Sequence, residues 1–276
     1  MPALTRLCGK PAAWFSGGFI VLLCVITFVV QISLPPNSPF QISDDILQPP
    51  SGAHWLGTDD LGRDVMLLVT WGARVSLTVG IVSAAAASVI GVVVGAASGY
   101  VGGVFDAVVM RVAEFFQVMP IFVLAALIVA MTGPGEIRVI GVIAGLAWPQ
   151  TARVVRSEVL RIKTLGFVEA ARCLGVSESR ILLREVIPNA LAPVIAVSTL
   201  TAAFAILLEA ALSFFGLTSA DTISWGLTLS AGQRLLYQAW WLSAFPGLMI
   251  FLTALSFNIF GDCVREALDP RNEQDR

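Results

Sequence analysis

Eleven of the 36 charged residues in this 276-residue chain lie between Arg153 and Glu185. Arg156, Arg161, Lys163, Arg172, Arg180 and Arg184 are mixed there with Glu158, Glu169, Glu178 and Glu185. Apolar Val159, Leu160, Ile162, Phe167, Val168 and Leu174 recur between them. This spacing suits recognition rather than catalysis. It predicts a helix running out to Leu174 and ended by Gly175, which takes positive φ without a Cβ clash. Ser177 is placed to N-cap a second helix, and Glu178 suits that helix's positive end. Arg180, Ile181, Leu182, Val186 and Ile187 follow, and Pro188 either ends this helix or opens the next apolar run. Two uses compete: an amphipathic hairpin lying on a membrane surface, or a docking element for a cytoplasmic partner. The small pair Ala170-Ala171 permits close approach of another surface, whereas a membrane anchor more usually carries bulky Trp, Phe or Leu along one face.

Other side chains with chemical potential are few. Glu209 is the one carboxylate deep in an apolar run, and an intramembrane ionisable group is a functional candidate by default. It is either a proton site of a coupled carrier or a structural glutamate near the run's outer end. Ser198, Thr199 and Thr201 lie on the same run, where helix-packing hydrogen bonds are one use for the hydroxyls. His54, Asp59, Asp60, Arg63 and Asp64 crowd one loop and suggest a metal or substrate site, a fixed turn, or contact with a binding protein. Arg111 and Glu114 stand at i,i+3 spacing for a salt bridge. With a single histidine and no paired-cysteine spacing, a zinc site is not expected. No structural disulfide is expected among Cys8, Cys24, Cys173 and Cys263.

The elements that must position these residues follow from composition. The chain is 57% hydrophobic and 13% charged, about half the charge of a soluble domain, with mean hydropathy +0.83. Its solvent is therefore largely lipid. A net charge of −2 argues against a nucleic-acid binder. Apolar runs predict six helical spans: Trp14–Ile32, Leu77–Ala97, Phe115–Met131 with Pro120 inside, Val139–Ala152, Leu191–Phe215, and Ala239–Phe260 with Pro246 inside. Their continuity excludes the alternation of a barrel. The first is too long for a signal-peptide core and reads as an uncleaved span. Placing both termini inside puts 13 of the 17 basic residues, from Arg6 and Lys10 to Arg271 and Arg276, on the cytoplasmic side, and only Arg63, Arg74, Arg138 and Arg234 outside. Long outer loops are predicted over 33–74 and 216–238. The division is then 1–74 (tail, first span, outer loop) and 75–276, a five-span core with cytoplasmic loop 153–188. In the second run, Ser76, Gly80, Ala84, Ser88 and Ala87, Gly91, Gly95, Gly99 form two ridges of small residues. These serve packing within the chain or contact with another membrane subunit.

The charged loop resembles the EAA motif of ABC-importer permeases: Glu169-Ala170-Ala171, three residues, Gly175, and then Pro188. The flanking Arg153-Val154-Val155-Arg156-Ser157-Glu158-Val159-Leu160 and Ile187-Pro188-Asn189-Ala190-Leu191 are similar to the dipeptide/oligopeptide/nickel branch, "C"-type subunit. So are Leu56–Asp64, Glu209–Leu217, and the stretch from Gly261-Asp262 through Arg265 to Leu268-Asp269-Pro270-Arg271. Departures are Glu185, Ile187, Phe167, Cys263 and Glu266, which replace commoner residues of the pattern. The resemblance implies an all-α, six-span permease of the type I ABC-importer fold, in the cell inner membrane with both termini cytoplasmic. It implies that Glu169, Ala170, Ala171, Gly175, Ser177, Arg180 and Pro188 belong to a coupling helix seated on an ATPase, and it makes Ser198, Thr199, Thr201 and Glu209 candidates for lining the translocation pathway, with helix packing an equal use for the three hydroxyls. The implied partners are a second homologous permease, two cytoplasmic ATPase domains and an extracytoplasmic substrate-binding protein delivering peptides. ATP and Mg would sit on the ATPases. This chain has no GxxxxGK[ST] loop, is not expected to be an enzyme and is expected to bind no cofactor. A proton-coupled secondary transporter using Glu209 is the alternative; a membrane enzyme is more remote.

Overall fold

The computed structural model describes residues 10–35, 37–219 and 222–268. Arg6, Cys8, Asp269, Pro270, Arg271 and Arg276 lie outside the described residues. In chain order the helices are α1 (Pro11–Ser33), α2 (Val65–Val101), α3 (Gly103–Val118), α4 (Ile121–Thr132), α5 (Glu136–Ile162), α6 (Gly166–Cys173), α7 (Glu178–Ile181), α8 (Ile187–Ala190), α9 (Ala192–Phe214), α10 (Trp225–Gln233) and α11 (Trp241–Leu268). A π-helical turn, Leu182–Val186, joins α7 to α8. Among the described residues there is no β-strand, only one isolated bridge, Thr58 with Asp64.

Four helices (α1, α2, α9 and α11) are long and apolar enough to cross a bilayer. The pair α3 and α4 makes a fifth if taken as one broken span, bent by 91°. The bend is Pro120's doing. Proline lacks the N–H that would continue α3 and bars the residue before it from helical geometry, so Met119 is extended at ψ 142°. At 27 residues α5 is long enough to span, but Arg138, Gln150, Arg153 and Pro149 dilute its apolar character.

Two loop boundaries differ from those expected. The outer loop ends at Asp64, not Arg74, so a division at 74/75 falls inside α2. Asp64 caps α2, its carboxylate accepting from the Met66 N–H at 2.8 Å. The charge-free run marked the lipid-facing part of the helix, whereas the cap sets its true start. The second outer loop contains α10, whose first residue, Trp225, is fully buried and donates its indole N–H to the Val69 carbonyl at 2.8 Å.

The centre of the fold is α2, and its two small-residue ridges face different neighbours inside this chain. Gly80 faces Ile206 of α9, and Ser88 bonds Ser198 of α9 at 2.7 Å. Gly91, Gly95 and Gly99 face Thr151, Ala152 and the Arg156–Val159 turn of α5. Both ridges are therefore spent on packing within the chain, which displaces the idea that they meet a second permease. Where lipid gives no hydrophobic push between helices, such close approach supplies the attraction. Helix α1 lies on α11 and α2, and Lys10 pairs with Glu266, bringing the start of α1 and the end of α11 to one end of the bundle.

Gly95→Ala should test this packing. The new Cβ would stand 2.3 Å from the Ala152 carbonyl oxygen, a backbone atom that cannot rotate away. A loss of about 1–3 kcal/mol is expected for such overpacking, read as a lower melting temperature in detergent. Gly141→Ala, with nothing within 4 Å of its Cβ, should leave the melting temperature unchanged.

Candidate functional site

The loop following α5 is not one continuous helix out to Leu174. Helix α5 stops at Ile162, and α6 restarts at Gly166. Thr164 turns its hydroxyl back to the Arg161 carbonyl at 2.9 Å, and Lys163 reaches across to the Gly99 carbonyl at 2.8 Å. The break lets Val168 fold back onto α5. It is fully buried with Val155, Val159, Ile162, Ile181, Val186 and Ala190 in one apolar cluster.

Gly175 does what its position predicts. Its φ is +76°, its N–H returns to the Arg172 carbonyl at 2.9 Å, and the Val176 N–H returns to Ala171 at 3.2 Å. This is a Schellman ending, which satisfies the last carbonyls of α6. Ser177 occupies the N-cap position of α7, yet its side chain makes no capping bond; its backbone carbonyl accepts from the N–H groups of Arg180 and Ile181 instead. Pro188 opens a new turn, α8, rather than ending α7.

The hairpin is tied to the end of α2 by groups that sequence reading passed over. Tyr100 of α2 donates its hydroxyl to the Glu178 carboxylate, which Arg172 also meets at 3.0 Å. Tyr100 first, then Arg172, hold the Glu178 carboxyl below the usual carboxylate range. Beneath this, Arg156 makes a two-pronged pair with Asp106 at 2.5 Å, and Ser98 donates to the same carboxylate. An acid just beyond Gly102-Gly103, at the basic end of an apolar run, was the available signal.

What remains exposed is a compact face. Glu169, Ala170, Gly175, Ser177, Arg180 and Pro188 are exposed and Ala171 is half-buried. Phe167, Leu174 and Leu183 stand out from the same hairpin at 45%, 83% and 65% exposure. An exposed apolar set of this kind, rimmed by charge, marks an interaction surface.

The four pathway candidates are not brought onto one open face. Glu209 is 1% exposed, with Ser76 of α2 donating to one oxygen at 2.9 Å and Ser213 to the other at 2.6 Å. Thr218 donates to Ser213 in turn. Within this chain Glu209 is thus a buried link between α2, α9 and the loop that follows α9. Ser198 bonds Ser88, and Thr199 packs against Gly261 of α11. Thr201 is nearly buried and bonds the Val197 carbonyl, but it does edge a cavity described below.

The loop 38–64 is fixed by its own charges. Arg63 pairs with Asp59 at 2.6 Å, and the same carboxylate accepts from the N–H groups of Leu61 and Arg63. His54 lies 3.0 Å from Asp64 and 3.5 Å from Asp45, and Asp64 chiefly raises its pKa. Among the described residues no three His, Cys, Asp or Glu side chains are grouped to hold a metal ion. Arg111 and Glu114 form the expected surface pair at 2.9 Å.

This arrangement can now be set beside known proteins. Residues 87–274 match the family described as the binding-protein-dependent transport system inner membrane component. The chain belongs to that family. Among relatives of this inner membrane component, the dipeptide transport system permease protein DppC of Bacillus subtilis (strain 168) is 38% identical over 259 residues, covering 93% of this chain and 81% of that protein. The glutathione transport system permease protein GsiD of Pectobacterium atrosepticum is 35% identical over 268 residues, covering 96% and 89%. A chain in the inward-facing MetNI methionine ABC transporter superposes with a TM-score of 0.60 at 22% identity, covering 74% of this permease and 98% of that chain. That likeness establishes a shared fold.

Two outcomes follow for this permease. The Asp106–Arg156 pair ties α3 to α5, so Asp106→Asn, which leaves Arg156 without its carboxylate, should lower the melting temperature in detergent. Glu209→Leu, which strands two buried serine hydroxyls, should cost about 1–3 kcal/mol. In the same melting assay Glu209→Gln should cost less.

Proposed function

We propose that this chain is the transmembrane permease subunit of an ATP-driven ABC importer of peptides. It would form half of the translocation pathway and couple ATPase motion to alternating access. The observation that carries this reading is the hairpin after α5. Its buried side is locked to α2 and α5, and its exposed side presents Phe167, Ala170, Ala171, Leu174 and Leu183 among charges. A rigid lever with an apolar tip is what a coupling element needs, since force on the tip reaches the spans only if the tip does not yield.

In this reading Glu169, Ala170, Ala171, Gly175, Ser177, Arg180 and Pro188 form the seat for a cytoplasmic ATPase. The partners are two such ATPase domains, which carry ATP and Mg, a second homologous permease and an extracytoplasmic binding protein. The chain itself hydrolyses nothing. α5 is the span that completes six, with α3 and α4 counted as one, and both termini are cytoplasmic. The Lys10–Glu266 pair supports common sidedness of the termini, and the basic residues support which side it is. The names of DppC and GsiD support small peptides as cargo.

Gly175→Pro removes the N–H bonded to Arg172 and demands a φ that proline cannot adopt. This variant, and Ala171→Trp, should abolish ATP-dependent peptide uptake in proteoliposomes and reduce co-purification of the ATPase. Wild-type uptake and recovery in both would overturn the coupling role. Uptake driven by an ion gradient without ATP would favour a proton-coupled carrier instead.

A further inference from the structure

A proline at a helix break and a proline inside an unbroken helix meet at one cavity. Met119 and Ile121, which flank Pro120 at the 91° bend, and Pro149 inside α5 all line a hollow of about 570 Å³. Each proline withdraws a backbone N–H, and the carbonyls in the last turn of α3 have no intrahelical partner. At membrane depth such backbone is tolerated only where protein covers it or where it borders a water-filled space. The hollow also collects unspent polar side chains. Gln117, Gln150 and Arg153 line it, and among the described residues their side chains meet no hydrogen-bonding partner. Of the other arginines on α5, Arg156 pairs with Asp106 and Arg161 with Glu158, and Arg138 donates to the Pro134 carbonyl. The remaining walls are apolar, with Phe116, Leu146 and Phe204.

We propose that this hollow is a station for a peptide on the translocation pathway, with Arg153 taking the C-terminal carboxylate. The inference rests on the importer reading above. The chemistry matches a peptide group by group. A guanidinium is a forked donor for a carboxylate. Two carboxamides offer both donor and acceptor to a peptide backbone. Apolar walls accept varied side chains without selecting among them. A hollow of this size is in the range of small-ligand sites. A lipid tail would leave Arg153, Gln117 and Gln150 unsatisfied.

The test uses the purified permease–ATPase complex in detergent, with the photoreactive residue p-benzoylphenylalanine at position 117. The probes are a radiolabelled mixture of di- to pentapeptides and the same mixture amidated at its C-termini. Leaving out the binding protein removes its own selection of peptide termini. The free-carboxylate mixture should label this chain about tenfold more than the amidated one. Arg153→Gln should erase the difference, and Arg153→Lys should retain most of it. Equal labelling by the two mixtures in the photoreactive chain that keeps Arg153 would overturn the assignment, and that comparison needs no arginine variant to fold. Photocrosslinking to the second permease alone would overturn it too. If the complex of unsubstituted chains, reconstituted with its binding protein, imports the free peptides with ATP, the importer reading stands even when the subsite fails. If it imports none, that reading fails first.

Discussion

The Ala152 carbonyl oxygen of α5 lies so close to α2 that a Cβ at residue 95 would be 2.3 Å from it. Most of the molecule's organisation depends on this backbone contact. It requires glycine on α2 at four-residue spacing, and it sets α5 alongside the longest helix in the chain. Just beyond it, Arg156 of α5 reaches Asp106 of α3, and Lys163, immediately after α5, reaches the Gly99 carbonyl near the end of α2. The hairpin hangs from that joint. Displacing the hairpin therefore displaces α2 and α5 together, and through Gly80 and Ser88 it engages α9 as well.

A second layer of fixation sits at the opposite end of α2. Glu209 is held by Ser76 and Ser213, Trp225 by the Val69 carbonyl and Trp241 by the Thr58 carbonyl. Each bond satisfies a polar group that lipid or apolar packing would otherwise strand, which costs several kcal/mol in hydrocarbon. Trp225 thereby fastens α10 to the helix that carries the hairpin at its far end, and Trp241 fastens the 38–64 loop to α11. A helix held at both ends and glycine-packed along its length has few ways to bend, whereas regular α-helical bonding is interrupted at Met119-Pro120, at Pro149 within α5 and in the π turn over Leu182–Val186.

Much of this was legible in the sequence, and what was not has physical causes. Apolar runs located the long helices, because lipid demands continuous hydrophobicity. They misplaced the start of α2, because the N-cap carboxylate of Asp64 and not the first charge-free residue decides where a helix begins. They missed α10, which is short and gains its burial from Trp225 alone among bulky residues. Gly175 could be read because positive φ is a local property of one residue. The break at Lys163–Leu165 could not, because it depends on Val168 finding a distant apolar cluster. Glu209 was visible as an anomaly, but its serine partners lie 133 residues and one turn away, so the sequence alone left open whether it was spent. Asp106 and Tyr100 had no motif to announce them, and only the fold brings them to the hairpin.

The claim at the centre is that the exposed tip of the hairpin seats a cytoplasmic ATPase. Cys173, exposed beside Gly175, offers a native reporter there, while Cys24 is half-buried and Cys263 is buried. With the other cysteines replaced by alanine, a short thiol-to-amine crosslinker on Cys173 should capture the ATPase subunit in the assembled transporter, in amounts that change when ATP is added. Capture of lipid or of the second permease alone, unchanged by ATP, would contradict it.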